Sequence, residues 1–287
     1  MFKRAVITDE ISQDFDLAIS IAKSYRLDGV ELRSVWEKNP HELTTTEINY
    51  IQAKVAEDQL QVPCLAAPLF KCRLDSETDY REHLQILEQT INVAHILGSK
   101  LIRGFTFWDE GDFNTNLPRI IAKLTSIEPI LRQNNITLVI ESDPATSANS
   151  SQKLGMVLTE INSDFIKALW DPGNNLYVAD AERPFPEGYQ RLKPHIAHIH
   201  VKDIQLDPST GKADGCALGQ GIVGFQEIFK TLTHHQYQGW LSLETHYRVH
   251  TTLSEELLAL PKGSSFSLGG EAATRECLEN WNTMLRL

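Results

Sequence analysis

The sequence predicts a (β/α)8 barrel, an α/β fold built as a single domain over residues 1–287, and three observations predict it. Eight β-rich runs centred near Val6, Val30, Cys64, Ile102, Val139, Leu169, Ile199 and Leu243 recur at intervals of 24 to 44 residues. Amphipathic stretches fill those intervals, and strands alternating with helices imply a parallel sheet. The runs are apolar or β-branched on both faces, as in strands covered on both sides. Eight is also the number that closes such a sheet into a barrel.

Taken in order, each element has its own signal. The N-terminus enters a strand-like run at once, Lys3-Arg4-Ala5-Val6-Ile7, leaving no room for a signal peptide. Leu17, Ala18, Ile21, Ala22 and Tyr25 then repeat at helical spacing, as do Leu84, Leu87, Ile91 and Ala94. Pro118 suits the first turn of the helix after the fourth strand, and Pro129 should kink or break the same pattern. Thr137-Leu138-Val139-Ile140 and His198-Ile199-His200-Val201 read as buried strands. Phe225, Ile228, Phe229 and Leu232 form another helical stripe. Pro261 to Gly270 reads as a loop, and a final helix is expected from about Glu271 to Leu285.

Composition narrows the function classes. No 18-residue apolar run is present, so neither a membrane span nor a membrane partner is expected. The expected compartment is cytoplasmic. The net charge of −11 argues against a nucleic-acid partner, which would demand a basic footprint. Cys64, Cys72, Cys216 and Cys277 contain no C-x-x-C pair and read as reduced thiols.

In a (β/α)8 barrel the active site lies at the C-terminal strand ends. The fifth strand closes on Glu141, the sixth on Asp171, the seventh carries His198 and His200, and the eighth closes on Glu244. Clustered carboxylates raise one another's pKa, and a divalent cation relieves that repulsion. Three oxygen donors and one nitrogen suit Mn²⁺, Mg²⁺, Co²⁺ or Zn²⁺, with Mn²⁺ the first expectation, and the lack of thiolates argues against structural zinc. His198 and His200 share a face. His200 is nearer the strand end and is the better ligand.

These residues give the chain a specific resemblance. Gly29-Val30-Glu31-Leu32, the Glu141 strand end, Asp171-Pro172-Gly173-Asn174, His198-Ile199-His200-Val201-Lys202-Asp203, Gly219-Gln220-Gly221 and Leu243-Glu244-Thr245-His246 resemble the xylose-isomerase-like TIM-barrel superfamily of sugar phosphate isomerases and epimerases. The resemblance implies one divalent metal held by Glu141, Asp171, His200 and Glu244. It departs at Ser142-Asp143, where many relatives have Asn-His, and at Asn174, where some epimerases have histidine.

The resemblance further implies carbohydrate metabolism: an isomerase or epimerase of a ketose or sugar phosphate, with Glu141 and Glu244 moving a proton through an enediolate. Arg103, Trp108, Asn174, Lys202, His246 and Arg248 are the candidate substrate-binding residues, and Phe70 and Phe107 candidate pocket walls. For the basic residues a salt bridge on the barrel rim is an equal alternative, and for the aromatics plain packing. The competing readings are a metal-dependent dehydratase of a cyclic polyol or keto acid, and a barrel that binds sugar or metal without turnover. A homo-oligomer is compatible with the sequence. Gly219-Gln220-Gly221 is too short a signal for dinucleotide binding. A phosphate site near Gly263–Gly270 is weighed against an ordinary connection, and the connection is preferred.

Overall fold

The apolar runs become strands and the amphipathic stretches become helices. The computed structural model describes residues 2–286. The strands are β1 (Lys3–Ile7), β2 (Gly29–Glu31), β3 (Cys64–Leu69), β4 (Leu101–Gly104), β5 (Thr137–Glu141), β6 (Ile166–Trp170), β7 (Ile196–Val201), β8 (Ile204–Leu206), β9 (Ala213–Gly215) and β10 (Trp240–Leu243). The helices are α1 (Phe15–Ser24), α2 (Thr45–Glu57), α3 (Glu77–Leu97), α4 (Phe113–Ser126), α5 (Glu128–Asn134), α6 (Ser151–Ile161), α7 (Tyr189–Leu192), α8 (Phe225–His234), α9 (Glu255–Ala259), α10 (Gly263–Ser267) and α11 (Gly270–Met284). Eight parallel strands form one sheet in the order β2-β1-β10-β7-β6-β5-β4-β3, as the (β/α)8 expectation requires. All eight predicted strand centres fall inside these eight strands.

The chain divides into two compact units, Met1–Pro63 with Ile199–Leu287, and Cys64–His198. In the first unit β1 is flanked by β2 and β10, with Val6 opposite both Val30 and Leu243. That register sets Ile7 opposite Glu31 and leaves Glu244 just beyond the β10 ladder. Ala18, Ile21 and Ala22 of α1, Phe225 and Phe229 of α8, and Trp281 of α11 are buried. In the second unit Arg103 stands opposite Val139 and Glu141 opposite Leu169. Its core includes Cys64, Val139 and Leu169.

Helix ends follow side-chain capping chemistry. Thr44 and Glu47 form a reciprocal capping box on α2, while Asp14, Ser76, Asp112 and Ser150 cap α1, α3, α4 and α6. Pro129 occupies the first turn of α5 and breaks the helix there, as expected. Pro118 is a correction. Asp112 caps α4 earlier than the proline suggests, so Pro118 lies inside the helix and not in its first turn. The Pro261–Gly270 segment is also not wholly loop, because α10 forms within it. The antiparallel hairpin β8–β9 and the short helix α9 add elements beyond the eightfold repeat.

One glycine ties the fold to the strand ends. A Cβ on Gly270, the first residue of α11, would stand 2.1 Å from the Glu10 carbonyl oxygen. Alanine normally improves a helix by up to about 1 kcal/mol over glycine. At position 270 the contact reverses that sign. Gly270→Ala should lower the unfolding free energy in urea by about 1–3 kcal/mol, and an unchanged or raised value would refute the close approach.

Candidate metal centre

The strand ends of the first unit gather its charged groups. Asp9 and Glu10 follow β1, Glu31 closes β2, and Arg33 stands two residues on. His200 lies near the end of β7 with Lys202 just past it, and Glu244 follows β10 ahead of His246 and Arg248. All nine are buried. Arg33 organises the cluster. Its Nη1 donates to Glu244 Oε1 at 2.7 Å, its Nη2 to Glu10 Oε1 at 2.7 Å, and its Nε to Asp9 Oδ1 at 3.1 Å. The Phe266 ring lies 4.6 Å from its guanidinium carbon. Lys202 Nζ donates to Glu244 Oε2 at 2.8 Å.

His200 sits between two carboxylates. Its Nε2 is 3.1 Å from Glu31 Oε1, and its Nδ1 is 3.5 Å from Glu244 Oε2. A carboxylate on one imidazole nitrogen is the usual way to orient a histidine whose other nitrogen binds metal. The pairing with Glu31 therefore fits Nδ1 as the coordinating atom. Four carboxylates (Asp9, Glu10, Glu31, Glu244) stand against three cations (Arg33, Lys202, Arg248), one negative charge in excess. The donor set suits a divalent metal.

A second trio, Glu10, Glu244 and His246, also offers donor atoms within 4.8 Å of one another. Arg33 and Arg248 already occupy its charge, since Arg248 Nη1 is 3.5 Å from Glu10 Oε2 and Arg33 bridges Glu10 to Glu244. Guanidiniums on the same carboxylates oppose a further cation there.

The pKa directions follow from burial and these neighbours. Burial would raise the Glu244 carboxyl, but Lys202, His246 and His200 outweigh it and hold the group well below the usual carboxylate range. For Glu10 burial prevails over Arg33 and Arg248, and its pKa rises. Burial pushes His246 well below the ordinary imidazole value, with Lys202, Arg33 and Arg248 adding to the effect against Glu244.

The second unit holds the other two predicted ligands. Glu141 ends β5, and Asp171 is the first residue after β6. Glu141 Oε2 accepts from Arg103 Nη1 at 3.1 Å, and its Oε1 accepts from Asn174 Nδ2 at 3.0 Å. Arg103 also donates to the Ala66 carbonyl at 3.0 Å. Asp171 Oδ1 accepts from the backbone N–H of Gly173 at 2.9 Å and of Asn174 at 3.3 Å. Asp171-Pro172-Gly173-Asn174 is thus a turn, closed by its own aspartate, that brings the Asn174 amide to Glu141.

The other predicted residues divide by what they touch. Arg103, Asn174 and Lys202 hold the predicted glutamates, and His246 lies beside Glu10 and Glu244. Arg248 donates to the carbonyls of Tyr247, Phe266 and Leu268, so its role in the fold is to anchor the segment around α10. Phe70 and Phe107 are packing residues: Phe70 stacks on Tyr80, and Phe107 meets both rings at a tilt. Trp108 is half-buried.

Sequence reasoning missed Asp9, Glu10 and Arg33 and quoted Glu31 in a motif without giving it a role, although each follows or ends a strand. It also left Asp203 without a role. That carboxylate accepts four backbone N–H groups, from Ile204, Gly219, Gly221 and Val223. The Gly219-Gln220-Gly221 motif is therefore a loop wrapped on an aspartate, where a Cβ on Gly221 would meet Asp203 Oδ1 at 2.2 Å.

The model of the xylose isomerase-like TIM-barrel family matches residues 19–266. The chain belongs to that family. An inosose dehydratase of Yersinia enterocolitica is 21% identical over 181 residues, which are 54% of this chain and 60% of that enzyme. The chain thus spans less than two thirds of that relative's length. A D-allulose 3-epimerase of Methylomonas sp., solved with D-allulose, superposes with a TM-score of 0.73 at 14% identity, covering 99% of this chain and 97% of the epimerase. The IOLI protein, solved with a bound zinc atom, superposes with a TM-score of 0.74 at 14% identity, covering 99% and 98%. Solved TIM barrels thus share the fold over nearly the whole chain. Among the described residues no helix is long and apolar enough to cross a membrane.

Arg33→Met should destabilise the protein by about 3–5 kcal/mol, because three buried carboxylates would lose one shared guanidinium. Denaturant unfolding checks this, and a loss under about 1 kcal/mol would show that the network is not held by Arg33. His246, depressed by burial, contributes stability above the ordinary imidazole pKa that is lost as pH falls below it. His246→Gln should therefore shrink the fall in unfolding free energy between about pH 7.5 and pH 5.5. An equal or steeper fall in the variant would contradict a depressed imidazole pKa at His246.

Proposed function

We propose that the chain is an enzyme that uses one divalent ion, held by Glu141, Asp171, His200 and Glu244, to remove the proton beside a carbonyl of a ketose, sugar phosphate or cyclic polyol ketone. The observation that carries the reading is the charge at the strand ends. The strand-end groups named in each unit leave carboxylates in excess of cations: Asp9, Glu10, Glu31 and Glu244 with Arg33, Lys202 and Arg248 in one, Glu141 and Asp171 with Arg103 in the other. An excess of that sign suits a divalent cation. Such an ion, Mn²⁺ in the first instance, supplies Lewis acidity to the carbonyl and neighbouring hydroxyl oxygens when bound.

The two glutamates differ as bases. Glu244 carries Arg33 on one oxygen and Lys202 on the other, which weakens it as a proton acceptor. Glu141 accepts from the Arg103 guanidinium on one oxygen and from the neutral Asn174 amide on the other. Proton abstraction therefore falls to Glu141, with Glu244 a ligand and anchor. The resemblance implied return of the proton to the opposite face or the adjacent carbon, giving an epimerase or isomerase. That outcome needs a second base of comparable strength, which Glu244 between two cations does not provide.

The second reading, dehydration, is favoured by this asymmetry. Elimination needs one base and an acid for the departing hydroxyl, and its first step is the same proton abstraction. The match to inosose dehydratases supports it. A polyhydroxylated cyclic ketone is then the substrate class.

Incubation in D₂O with Mn²⁺ and a panel of ketoses and inososes tests the proposal. Deuterium should enter the carbon beside the carbonyl. With retained hydroxyls this marks epimerase or isomerase chemistry, and with loss of water it marks the dehydratase. Glu141→Gln should lower exchange about 10²–10⁴-fold, and Glu244→Gln should weaken Mn²⁺ binding measured by electron paramagnetic resonance. Wild-type-like exchange in Glu141→Gln would remove it as the base. Tight sugar binding without any exchange would point to a binding protein.

A further inference from the structure

Buried Lys71 and half-buried Asp143 form an ion pair that the proposed metal ligands do not include. Lys71 lies two residues past β3 and Asp143 two residues past Glu141, so both follow C-terminal strand ends of the same unit. Lys71 Nζ donates to Asp143 Oδ2 at 2.8 Å, with the two side chains 4% and 14% exposed. The ammonium lies 4.4 Å from the Phe105 ring centre and 5.9 Å from that of Trp108. The same Phe105 ring stands 4.8 Å from the guanidinium carbon of Arg103, which holds Glu141. One aromatic ring thus separates the ammonium from the cation on the base.

The pair is held in place at a cost. Asp143 is fixed by the Ala145 N–H on Oδ1 at 2.9 Å. Phe70, just before Lys71, has a φ of +63°, in the left-handed region that disfavours a bulky L-residue. A conformation of that kind costs about 1–3 kcal/mol and persists where the surroundings impose it. A buried ion pair adds little stability over well-packed apolar side chains of similar size. Stability alone therefore does not account for an ammonium here.

We propose that Lys71 is the acid that protonates the departing hydroxyl, oriented by Asp143. The inference rests on the dehydration reading of the site. Glu141 takes the proton from the carbon beside the carbonyl, and the C–H electron pair forms the new C=C bond. The C–O bond on the next carbon breaks, its electron pair leaves with the oxygen, and that oxygen takes a proton from the Lys71 ammonium to leave as water. Glu141 then holds one proton and Lys71 lacks one, and exchange with solvent restores both. No oxidant or reductant is consumed. The substrate class is a β-hydroxy ketone bearing further hydroxyls.

The test uses the full chain with Mn²⁺ and an inosose in D₂O, following deuterium uptake beside the carbonyl and formation of the enone by ultraviolet absorbance. Lys71→Met should lower enone formation about 10²–10⁴-fold while deuterium uptake stays close to wild type. The double variant Lys71→Met/Asp143→Leu removes the unpaired carboxylate, and it should fold normally by circular dichroism and show the same split. Enone formation at the wild-type rate in either variant overturns the acid role. Deuterium uptake with no enone formation by the unmutated protein also overturns it and leaves the enolising function standing. Wild-type protein that does neither overturns that function and this inference together.

Discussion

The arrangement at the strand ends follows from one constraint: a carboxylate taken out of water must find positive charge close by. Burying an uncompensated charge costs several kcal/mol, more than most single contacts return. Arg33 meets that demand for Asp9, Glu10 and Glu244 in one unit. Arg103 meets it for Glu141 in the other. The named cations do not cancel the named acids in either unit. On the proposed reading the same cations set the chemistry, with Glu244 a poorer base than Glu141.

Backbone devices hold these side chains rigidly enough to matter. Asp203 draws four N–H groups onto one carboxylate and fixes the loop that follows the β8–β9 hairpin. Asp171 closes its own turn and so directs Asn174 to Glu141. Phe266, delivered by α10, lies against both Arg33 and Arg248 and limits their motion. Positions held this way lose little entropy on binding a ligand, which is the physical content of preorganisation.

Most of the fold was legible because period and spacing are local properties of a chain. The eight strand centres and the break at Pro129 could be read directly. The four proposed ligands were legible for the same reason, since each closes or nearly closes a strand. Extending that rule to strands one and two would have exposed Asp9, Glu10 and Glu31. Arg33 is harder, because its bond to Glu244 joins residues 211 apart and no local pattern announces such a partner. Pro118 misled because the Asp112 cap starts its helix earlier. Lys71 was hidden by the left-handed turn at Phe70, which sequence does not advertise in a residue other than glycine.

The most direct test of the central claim is a crystal soaked in Mn²⁺ and measured at the manganese absorption edge. The account predicts a single anomalous peak bonded to Glu141, Asp171, His200 Nδ1 and Glu244, with Glu31 still on His200 Nε2. No peak at these residues, or a peak bonded to Glu10 and His246 instead, would contradict it.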